Sequence, residues 1–594
     1  MLDKLQKTVL SYPKLKERIE NSSDPKASKE KALKNLNEMK ADFSKRYIGM
    51  MEKMFDATLP RLYDGINFND NGRDLPELMK NNSIVLVPNH QSHADYVAIN
   101  YMFYKTYKRP LFVAGGDNLN IFPIGKLFRK SGCFFIRRSF ANDILYKFTM
   151  EAYLYALLMN KEPIEFFFEG GRTRSGKLMA PKFGLYQMLI EAHSHLPEDK
   201  KSPLLFVPVS IAHEYVPEQK SLAKEMMGGK KVKESTGQLF NLVKLVSYQF
   251  GNVHINVGEP VEAAKLEDEY ENKKNIQDLA FKCFRRVGSE MVVTPTSLLV
   301  LILLDEAQGA VRWADILAKA NAIIQFCMKF NIPFVEGLQV SKIEGTLGRA
   351  LDILIGNGKV EVIGRHDNST VFYSIKKENR AELLFFKNTI LHHFMIPWTI
   401  NLAWINLFSG KLNTVEDFKE FFIDQRDQLK HEFYLPTMKE YFSKTLKILS
   451  DAAEKEIHSL EECLTLSHQD LYKIASNLGM FSRTLSYINE SYFTSALAIK
   501  AFEKEGVELF KRDDFMKKLE EVFDREIQVA RVIRFPESHN VVLTKNAIKY
   551  FTQKGFIVNE QGSFKINDAE ALNKYIQKIE AELMEQLKFN LRVV

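Results

Sequence analysis

The stretch IVLVPNHQSHADY, residues 84–96, decides the fold, because an apolar β-rich run leads directly into a turn and a helix start. Similar short runs recur along the chain, with helical stretches such as 142–160 and 183–194 between them. These runs are LFVAG (111–115), CFFI (133–136), IEFFF (164–168), LLFVPVSI (204–211) and HINVG (254–258). Alternating strands and helices are typical of an α/β domain with a largely parallel sheet.

The regions that flank this domain are predicted to be helical. Apolar residues recur at helical spacing over 31–58, which predicts an amphipathic helix. After Val293 the pattern is mainly helical, but at 356–375 and 554–566 a helix is followed by a hairpin, as in a small winged-helix unit. We expect three regions, which are an N-terminal helical region (1–79), the α/β domain (80–290) and a mainly helical C-terminal region with two helix-hairpin units (291–594).

Length and composition indicate an ordinary globular protein. A chain of 594 residues is too long for one core, and 45% hydrophobic with 26% charged residues is a globular balance. The net charge of +7 suits an anionic lipid, an acidic carrier protein or a nucleic acid, and does not choose among them. The four cysteines form no CxxC pair, so we expect neither a disulfide framework nor a structural zinc site, and a reducing compartment.

One segment is long and apolar enough to invite a membrane interpretation. Residues 388–408 contain no Asp, Glu, Lys or Arg, yet they include Pro397, Trp398 and Trp404. An interfacial segment fits this composition better than a membrane span, and a buried helix or helix pair broken at Pro397 fits equally well. Because the N-terminus has no apolar core that could serve as a signal peptide, we expect a peripheral protein at the cytoplasmic face of a membrane.

The first block that carries chemistry is VPNHQSHADY, which follows the predicted strand 84–88. His90 would lie at the mouth of the strand and Asp95 in the first turn of the next helix. Asp95 can then accept a hydrogen bond from one ring nitrogen, which leaves the other to take a proton from a substrate hydroxyl. This arrangement resembles the oriented base of serine hydrolases, with the substrate's own hydroxyl as nucleophile.

A metal site is the alternative interpretation of the same block, since His90, His93 and Asp95 are possible ligands for zinc or iron. A binuclear metallohydrolase requires the pattern HxHxDH, however. In that register the chain has Gln91 and Tyr96 where two ligands would be needed.

Two further blocks supply cationic groups at the ends of predicted strands. In SGCFFIRR (131–138) the strand leads into Arg137 and Arg138, of which one is expected to reach the site, because adjacent residues point to opposite faces. A guanidinium there suits a phosphate, although a surface ion pair is the commoner role of an arginine.

In FFFEGGRTRSGK (166–177) a Phe-rich strand runs directly into a glycine turn. Paired glycines let the backbone come close to a ligand. The candidate binding residues of this block are Glu169, Gly170, Gly171, Arg172, Thr173 and Arg174.

The fourth block, LLFVPVSIAHEY (204–215), places Pro208 inside an apolar strand. Proline weakens a central strand, so a bulge or an edge is expected there. We interpret this block as shaping the acyl pocket or the acceptor pocket, with a plain core strand as the alternative.

The four blocks, in this order and spacing, resemble the glycerophosphate acyltransferase family. More narrowly, they are similar to bacterial sn-glycerol-3-phosphate 1-O-acyltransferases and to dihydroxyacetone-phosphate acyltransferases, which have HxxxxD, GxFFIRR, FxEGGRSRTG-type and VPxxI blocks. Thr173 and Ser175 exchange the usual Ser/Thr order here. The resemblance continues at INVGEPV (255–261), VVTPTSLL (292–299) and KNTILHHFMIP (387–397).

The resemblance implies transfer of a fatty acyl group from acyl-CoA or acyl carrier protein to the sn-1 hydroxyl of glycerol-3-phosphate. His90 oriented by Asp95 would be the base, and Arg137 or Arg138 with Arg172 would hold the phosphate. Because PIEFFFEGG and PKFGL (181–185) look like the dihydroxyacetone-phosphate branch, that acceptor stays open.

No metal or bound cofactor is implied by the resemblance. The expected partners are the two substrates and a membrane surface, with no nucleic acid, and the oligomeric state is not predicted. The remaining alternatives are a metal-dependent hydrolase and a non-enzymatic scaffold that binds a membrane or a nucleic acid.

Overall fold

The computed structural model contains two compact units, each described here by itself. The residues that it describes are 2–120, 124–137, 142–229, 250–264, 269–306, 309–364, 371–433, 435–532 and 535–592. The first unit comprises Met1–Thr173, Leu178–Pro217 and Val232–Val292. The second unit comprises Arg174–Lys177, Glu218–Lys231 and Val293–Val594.

Helices and strands alternate up to residue 292. The helices there are α1 (Lys4–Leu10), α2 (Pro13–Glu20), α3 (Pro25–Met39), α4 (Lys45–Thr58), α5 (Leu75–Asn81), α6 (Ala94–Tyr107), α7 (Ile124–Lys130), α8 (Ile144–Met159), α9 (Gly184–Ser194), α10 (Gln219–Met226) and α11 (Glu269–Glu290). The strands are β1 (Gly65–Asn69), β2 (Ser83–Pro88), β3 (Phe112–Gly116), β4 (Cys133–Ile136), β5 (Ile164–Phe166), β6 (Leu204–His213), β7 (Asn252–Val257) and β8 (Val261–Glu262).

From residue 293 onward the chain is mainly helical. The helices are α12 (Pro295–Asp305), α13 (Trp313–Lys329), α14 (Ile343–Gly356), α15 (Lys377–Phe408), α16 (Val415–Leu429), α17 (Met438–Ala453), α18 (Leu460–Cys463), α19 (His468–Leu478), α20 (Ser486–Lys504), α21 (Arg512–Gln528), α22 (Phe535–Ser538), α23 (Val541–Gln553) and α24 (Ala569–Arg592). The strands are β9 (Val311–Arg312), β10 (Val360–Ile363), β11 (Phe372–Ile375), β12 (Leu509–Phe510), β13 (Ile557–Glu560) and β14 (Ser563–Ile566).

The first unit contains an eight-stranded sheet in the order β1-β7-β6-β2-β5-β3-β4, with β8 also paired to β6. Strands β6, β2, β5, β3 and β4 are parallel, whereas β7 and β8 run antiparallel to β6. All six residues of β2 are buried, as expected for a parallel strand covered on both faces. The predicted α/β class, with its largely parallel sheet and helical flanking regions, is therefore confirmed.

The parallel arrangement decides where the sequence blocks lie. Because β2, β5, β4 and β6 point the same way, their carboxyl ends reach one edge of the sheet. Pro208 lies in β6 between the residues paired with β8 and those paired with β7, and its carbonyl accepts a 2.7 Å hydrogen bond from Gly258 N. On this side three residues, 258–260, lie opposite two residues of β6, so the extra residue is in the neighbouring segment, while Pro208 itself pairs in register with Val87 of β2.

The amphipathic helix predicted over 31–58 is wrong in one respect, because the structure divides it into α3 and α4. Between these helices Asp42 N and Ser44 N donate to the carbonyls of Arg129 and Lys130, at 3.0 and 3.1 Å. The Arg129 guanidinium in turn donates to the Lys40 carbonyl at 2.6 Å. Hydrogen bonds to the end of α7 thus replace the helical ones, and no local pattern reports such a long-range exchange.

The long apolar segment 388–408 lies within α15, a single helix of 32 residues. Trp398 and Trp404 are fully buried, and α15 packs against α12, α17, α19 and α24. Of the alternatives for this segment, the structure shows the buried helix and not a helix pair broken at Pro397, since proline removes only one backbone donor and packing on several sides keeps the helix continuous. None of the described helices is both long and apolar enough to span a membrane.

Two parts of the second unit share one topology. In the first module (311–375), a short strand, two helices and a hairpin give the sheet order β10-β11-β9. In the second module (509–566), a short strand, two long helices with the four-residue α22 between them, and a hairpin give the matching order β12-β14-β13. Both hairpins occur where the sequence predicts them, and each module has the connectivity of a winged helix.

We predict that Glu582→Gln stabilises the protein more at pH 8 than at pH 5. Glu582 on α24 is buried, and burial raises its pKa to about 7 despite the opposing charges of Lys578 and Lys411. Because the pKa of this carboxyl is raised in the folded state, the protein loses stability as the pH rises from the unfolded-state pKa of the group toward 7. Glutamine does not ionise, so the variant does not lose this stability. The gain from the substitution should grow by about 2 kcal/mol between these two pH values.

Urea unfolding of both proteins at the two pH values measures this difference. Glu570→Gln is the control, because Glu570 lies on the same helix but is exposed. A gain from Glu582→Gln that does not change with pH would contradict the prediction.

Candidate active site

The carboxyl edge of the sheet begins with Asn89, directly after β2. Its side-chain amide donates to the Ile211 carbonyl at 3.0 Å and its oxygen accepts from Ile211 N at 2.8 Å. The side chain therefore continues the pairing of β2 with β6 by one residue after β2 has ended. This places His90 at the mouth of the sheet with a fixed backbone.

His90 is held by Asp95 in the first turn of α6, as the block predicts. His90 Nδ1 lies 2.8 Å from Asp95 Oδ2, and both side chains are buried. The same oxygen accepts from Gln91 N at 2.7 Å and from Ser92 N at 2.9 Å. Three hydrogen bonds to one carboxylate oxygen fix both the orientation of the ring and the turn that carries it.

Asp95 is ionised although it is fully buried. Burial would raise its pKa, but hydrogen bonds from His213 and His90 outweigh burial and hold the pKa well below its usual range. His213 Nε2 lies 2.6 Å from Asp95 Oδ1, the oxygen that His90 does not use. The carboxylate therefore lies between two imidazoles.

Aromatic rings cover His90. The Phe167 ring lies 4.1 Å from the His90 ring between centroids, and the Tyr96 ring lies edge-on at 5.0 Å. These rings leave His90 only 3% exposed. Burial also raises the pKa of Tyr96, so its hydroxyl stays protonated near the site.

The glycine turn after β5 approaches the first block closely. Gly170 has a φ of +68° and its N–H donates to the Phe167 carbonyl at 3.0 Å, which closes the turn. Thr173 N donates to the carbonyl of His90 at 2.9 Å. The structure thus brings the first and third blocks together through their backbones, with half-buried Gly171 between these two contacts.

Glu169 is buried at the start of this turn. Its Oε1 accepts a weak hydrogen bond from Met179 N at 3.3 Å, and no described residue bonds to its Oε2. Burial, together with the nearby negative charge of Asp95, raises the pKa of Glu169 well above its usual range. Burial therefore favours the protonated form of this carboxyl, which can both donate and accept.

The predicted arginines have different surroundings. Arg172 is half-buried, and its charge acts on the Tyr96 hydroxyl. Arg137 donates to both Glu38 oxygens, at 2.8 and 2.6 Å, and lies over the Tyr146 ring. Arg174 belongs to the second unit, where its Nε lies 2.9 Å from Glu225 Oε2. Arg138 lies outside the described residues.

Sequence reasoning missed three residues of this site: His213, Tyr96 and Phe167. His213 is the last residue of β6, a parallel strand whose carboxyl end lies at the same edge as His90, and that position was the available signal. Tyr96 and Phe167 directly follow Asp95 and β5, but aromatic residues are so often core that their type alone does not distinguish them.

An apolar cavity of about 320 Å³ adjoins the aromatic cover of His90. Tyr96 belongs to both, since its ring contacts His90 and also lines the cavity. Other lining residues come from α4, α6, β3, α7 and β4, and include Met51, Val97, Val113, Phe128 and Cys133.

Among the described residues, no group of three or more His, Cys, Asp or Glu side chains has a geometry that could hold a metal ion. The metal-dependent alternative therefore has no ligand set in the described part of the chain.

Comparison with known proteins gives two family matches. Residues 222–560 match the glycerol-3-phosphate acyltransferase C-terminal region, and residues 69–212 match the acyltransferase family. These matches confirm the resemblance inferred from the four blocks.

Several curated relatives are named glycerol-3-phosphate acyltransferase. One from Haemophilus influenzae (strain PittEE) is 29% identical over 391 residues, which cover 64% of this chain and 47% of that protein. One from Pseudoalteromonas translucida (strain TAC 125) is 27% identical over 513 residues, which cover 82% of this chain and 61% of that protein. The chain thus spans about half to three fifths of the length of these relatives.

A crystal structure of a 1-acyl-sn-glycerophosphate acyltransferase from Thermotoga maritima also aligns with the chain. It is 15% identical with a TM-score of 0.24, and the alignment covers 48% of this chain and 95% of that one. A similarity this low supports no inference about the present site.

We predict that Gly170→Ala destabilises the protein by about 1–2 kcal/mol, whereas Gly171→Ala changes stability by less than about 0.5 kcal/mol. An alanine at 170 would take a left-handed conformation, and its Cβ would lie 3.0 Å from Lys182 Cγ. At Gly171 the added Cβ would meet no atom within 4 Å. Urea unfolding of the two variants compares them directly, and equal losses would show that the turn does not depend on the conformation of Gly170.

Proposed function

Because the chain belongs to the glycerol-3-phosphate acyltransferase family, we propose that it transfers a fatty acyl group from an acyl thioester to the sn-1 hydroxyl of glycerol-3-phosphate. The product would be lysophosphatidate, the first intermediate of phospholipid synthesis. The observation that carries this proposal is the buried 2.8 Å contact between His90 Nδ1 and Asp95 Oδ2, at the edge of the sheet where parallel strands gather their sites.

His90 acts as the general base in this proposal. Because Asp95 engages Nδ1, Nε2 is the nitrogen that takes the proton from the acceptor hydroxyl. The oxygen attacks the thioester carbonyl, the carbon–sulfur bond breaks, and His90 returns the proton to the leaving thiolate. Ionised Asp95 stabilises the imidazolium that forms between these steps. The sequence of steps balances without a metal or a bound cofactor.

The phosphate of the acceptor would be held by Arg172 and by the turn around Thr173. Both residues follow Glu169 on the segment that contacts the His90 backbone, so a phosphate there would leave the glycerol hydroxyl within reach of the base. Arg137 would have to exchange Glu38 for the phosphate before it contributes, because Glu38 occupies its guanidinium. Arg138 remains a candidate for the same role.

Glu169 would bind an acceptor hydroxyl rather than a cation. Burial raises its pKa and so favours the protonated carboxyl, which can donate to one oxygen while accepting from another. A glycerol backbone offers such hydroxyl groups.

The apolar cavity beside Tyr96 would receive the acyl chain of the donor. Its volume of about 320 Å³ and its apolar side chains suit an aliphatic tail, and Tyr96 connects it to His90. The donor would be acyl-CoA or acyl carrier protein, and dihydroxyacetone phosphate is the alternative acceptor. We also propose that the protein works as a peripheral protein at the cytoplasmic face of a membrane.

We predict that the purified protein releases thiol from palmitoyl-CoA only when an acceptor is present. Glycerol-3-phosphate, dihydroxyacetone phosphate and lysophosphatidate should be offered in parallel, with palmitoyl-acyl carrier protein as a second donor. His90→Ala should lower kcat by about 10²–10⁴-fold, because it removes the base.

His93→Ala is the matched control, since His93 lies three residues from His90 and would be a ligand in the metal-dependent alternative. Its kcat should stay within about threefold of the parent protein, whereas equal losses in the two variants would favour the metal-dependent alternative. Circular dichroism should show that both variants are folded. Absence of thiol release with all three acceptors and both donors would contradict the proposed function.

A further inference from the structure

The second module (509–566) contains an apolar cavity that the acyl-transfer proposal does not use. Its volume is about 500 Å³, and its lining residues come from α21, α23 and the β13–β14 hairpin. The apolar part of its lining comes from Phe515, Met516, Val541, Ile548 and Phe564. Pockets of about 300–1,000 Å³ with mainly apolar walls are typical of small-molecule sites.

The residues that line this cavity include three cations, Arg512, Lys545 and Lys549. Lys545 and Lys549 are four residues apart on α23, so they lie on one face of the helix. All three side chains are exposed, and within the described part of the chain none of them forms an ion pair. No acidic residue is among those that line the cavity.

We propose that this cavity binds an anionic single-chain lipid, whose aliphatic tail enters the apolar interior and whose phosphate or carboxylate lies between the three cations. The apolar lining would contact the aliphatic tail, and the three cations would contact the anionic head group. An apolar pocket alone, or a group of cations alone, would suit a different kind of ligand. A nucleic acid, the usual ligand of a winged helix, would use the cations but leave the apolar cavity without a function. This site lies in the second unit and does not depend on the proposed function of the first.

The first module (311–375) shows that the topology alone does not create these features. Its second helix, α14, carries Glu344, Arg349 and Asp352, whereas Lys545 and Lys549 are the charged residues of α23. Mixed charge on α14 would not favour an anion. The proposed site is therefore a property of the side chains of the second module.

Photocrosslinking tests this site separately from the His90 site. The probe is dodecyl phosphate with a diazirine in its chain, used below its micelle concentration, and peptide mass spectrometry maps the adducts. Labelling should occur on the peptides that contain 512–516 and 541–553, and Lys545→Glu with Lys549→Glu should lower it at least tenfold.

Lys565→Glu is the matched control, since Lys565 is exposed in β14 but alternates in direction with Phe564. Labelling in this control should match the parent protein, and so should any labelling of the α6 peptide around Tyr96 in the double variant. The proposal fails if the double charge reversal leaves labelling of α23 unchanged, or if a dodecyl probe with an uncharged head labels α23 equally well. Displacement by an oligonucleotide but not by dodecyl phosphate would instead identify a nucleic-acid surface.

A second inference concerns His213 and rests on the proposed function. Asp95 Oδ1 accepts from His213 Nε2 at 2.6 Å, while Oδ2 serves His90 and two backbone N–H groups. His213 is the last residue of β6 and is buried. Its hydrogen bond therefore links the end of β6 to the Asp95 carboxylate away from solvent. No described group bonds to its Nδ1, which leaves the Asp95 contact as the hydrogen bond that orients the ring.

We infer that His213 is a positioning residue that holds the Asp95 carboxylate and thereby sets the basicity of His90. A donor on Oδ1 withdraws charge from the carboxylate, and without it Asp95 would stabilise the imidazolium form of His90 more strongly. Two further carboxyls lie near Asp95, those of Glu165 and Glu169, and burial raises the pKa of both, which favours their uncharged forms. Arg172 is a further charged group near the site, since its charge acts on the hydroxyl of the adjacent Tyr96.

We predict that His213→Phe lowers kcat about 10–100-fold with the acceptor KM within about twofold, and moves the acid limb of the pH–rate profile upward by about half a unit. His213→Gln, which keeps a side-chain N–H donor, should recover most of kcat and the original limb. If His213 were only structural, the position of the acid limb would not depend on whether residue 213 carries a side-chain N–H donor.

Hydrogen–deuterium exchange at C2 of His90, followed by mass spectrometry, reports its titration without any substrate. His213→Phe should raise that midpoint and His213→Gln should leave it near that of the parent protein. Unchanged midpoints in both variants would overturn the positioning role even if acyl transfer occurs, and a shifted midpoint would support it even if the proposed acceptor proved wrong.

Discussion

The site depends on one buried carboxylate. Asp95 accepts four hydrogen bonds, from two imidazoles and two backbone N–H groups, and these partners come from the end of β2, the turn before α6 and the end of β6. A buried carboxylate without partners would be too costly to keep ionised, so each of these segments must be in place for the charge to persist. The geometry of the site and the local fold are therefore one constraint: the contacts that keep Asp95 ionised also fix His90.

The sheet supplies this geometry because five of its strands run in the same direction. Their carboxyl ends deliver His90, Glu169, Arg137 and His213 to one edge, although these residues are far apart in sequence. These residues do not all lie at the same distance from His90 along that edge, however. β4 is separated from β2 by β5 and β3, so Arg137 starts about 14 Å from the strand of His90 at the usual strand spacing. This separation and its pairing with Glu38 distinguish Arg137 from Arg172, which follows the neighbouring strand β5.

The sequence predicted the features that local patterns carry. The strands β2 to β7 and the helix start at Asp95 follow from apolar runs and turn residues, and the HxxxxD spacing led to the 2.8 Å contact. Local patterns did not settle the features that depend on residues far away in sequence. The break between α3 and α4 depends on α7, and the continuity of α15 at Pro397 depends on the helices around it. His213 was missed for the same reason, because its partner Asp95 is 118 residues away. The third block was predicted as one piece, but the structure assigns Arg174–Lys177 to the second unit, where Lys177 pairs with Glu432.

The second unit shows that a fold used twice need not serve one purpose. Both modules have the same order of strand, two long helices and hairpin, with the short α22 added in the second, and in both the strand before the helices pairs into the small sheet. The backbone therefore fixes where a groove can form between the second helix and the hairpin, but the side chains decide what enters it. In the second module, apolar lining residues and three cations that form no ion pair with the described residues select for a ligand with two chemically different ends. Selectivity of this kind lies in the residues of α21 and α23, and the winged-helix connectivity alone is a poor guide to it.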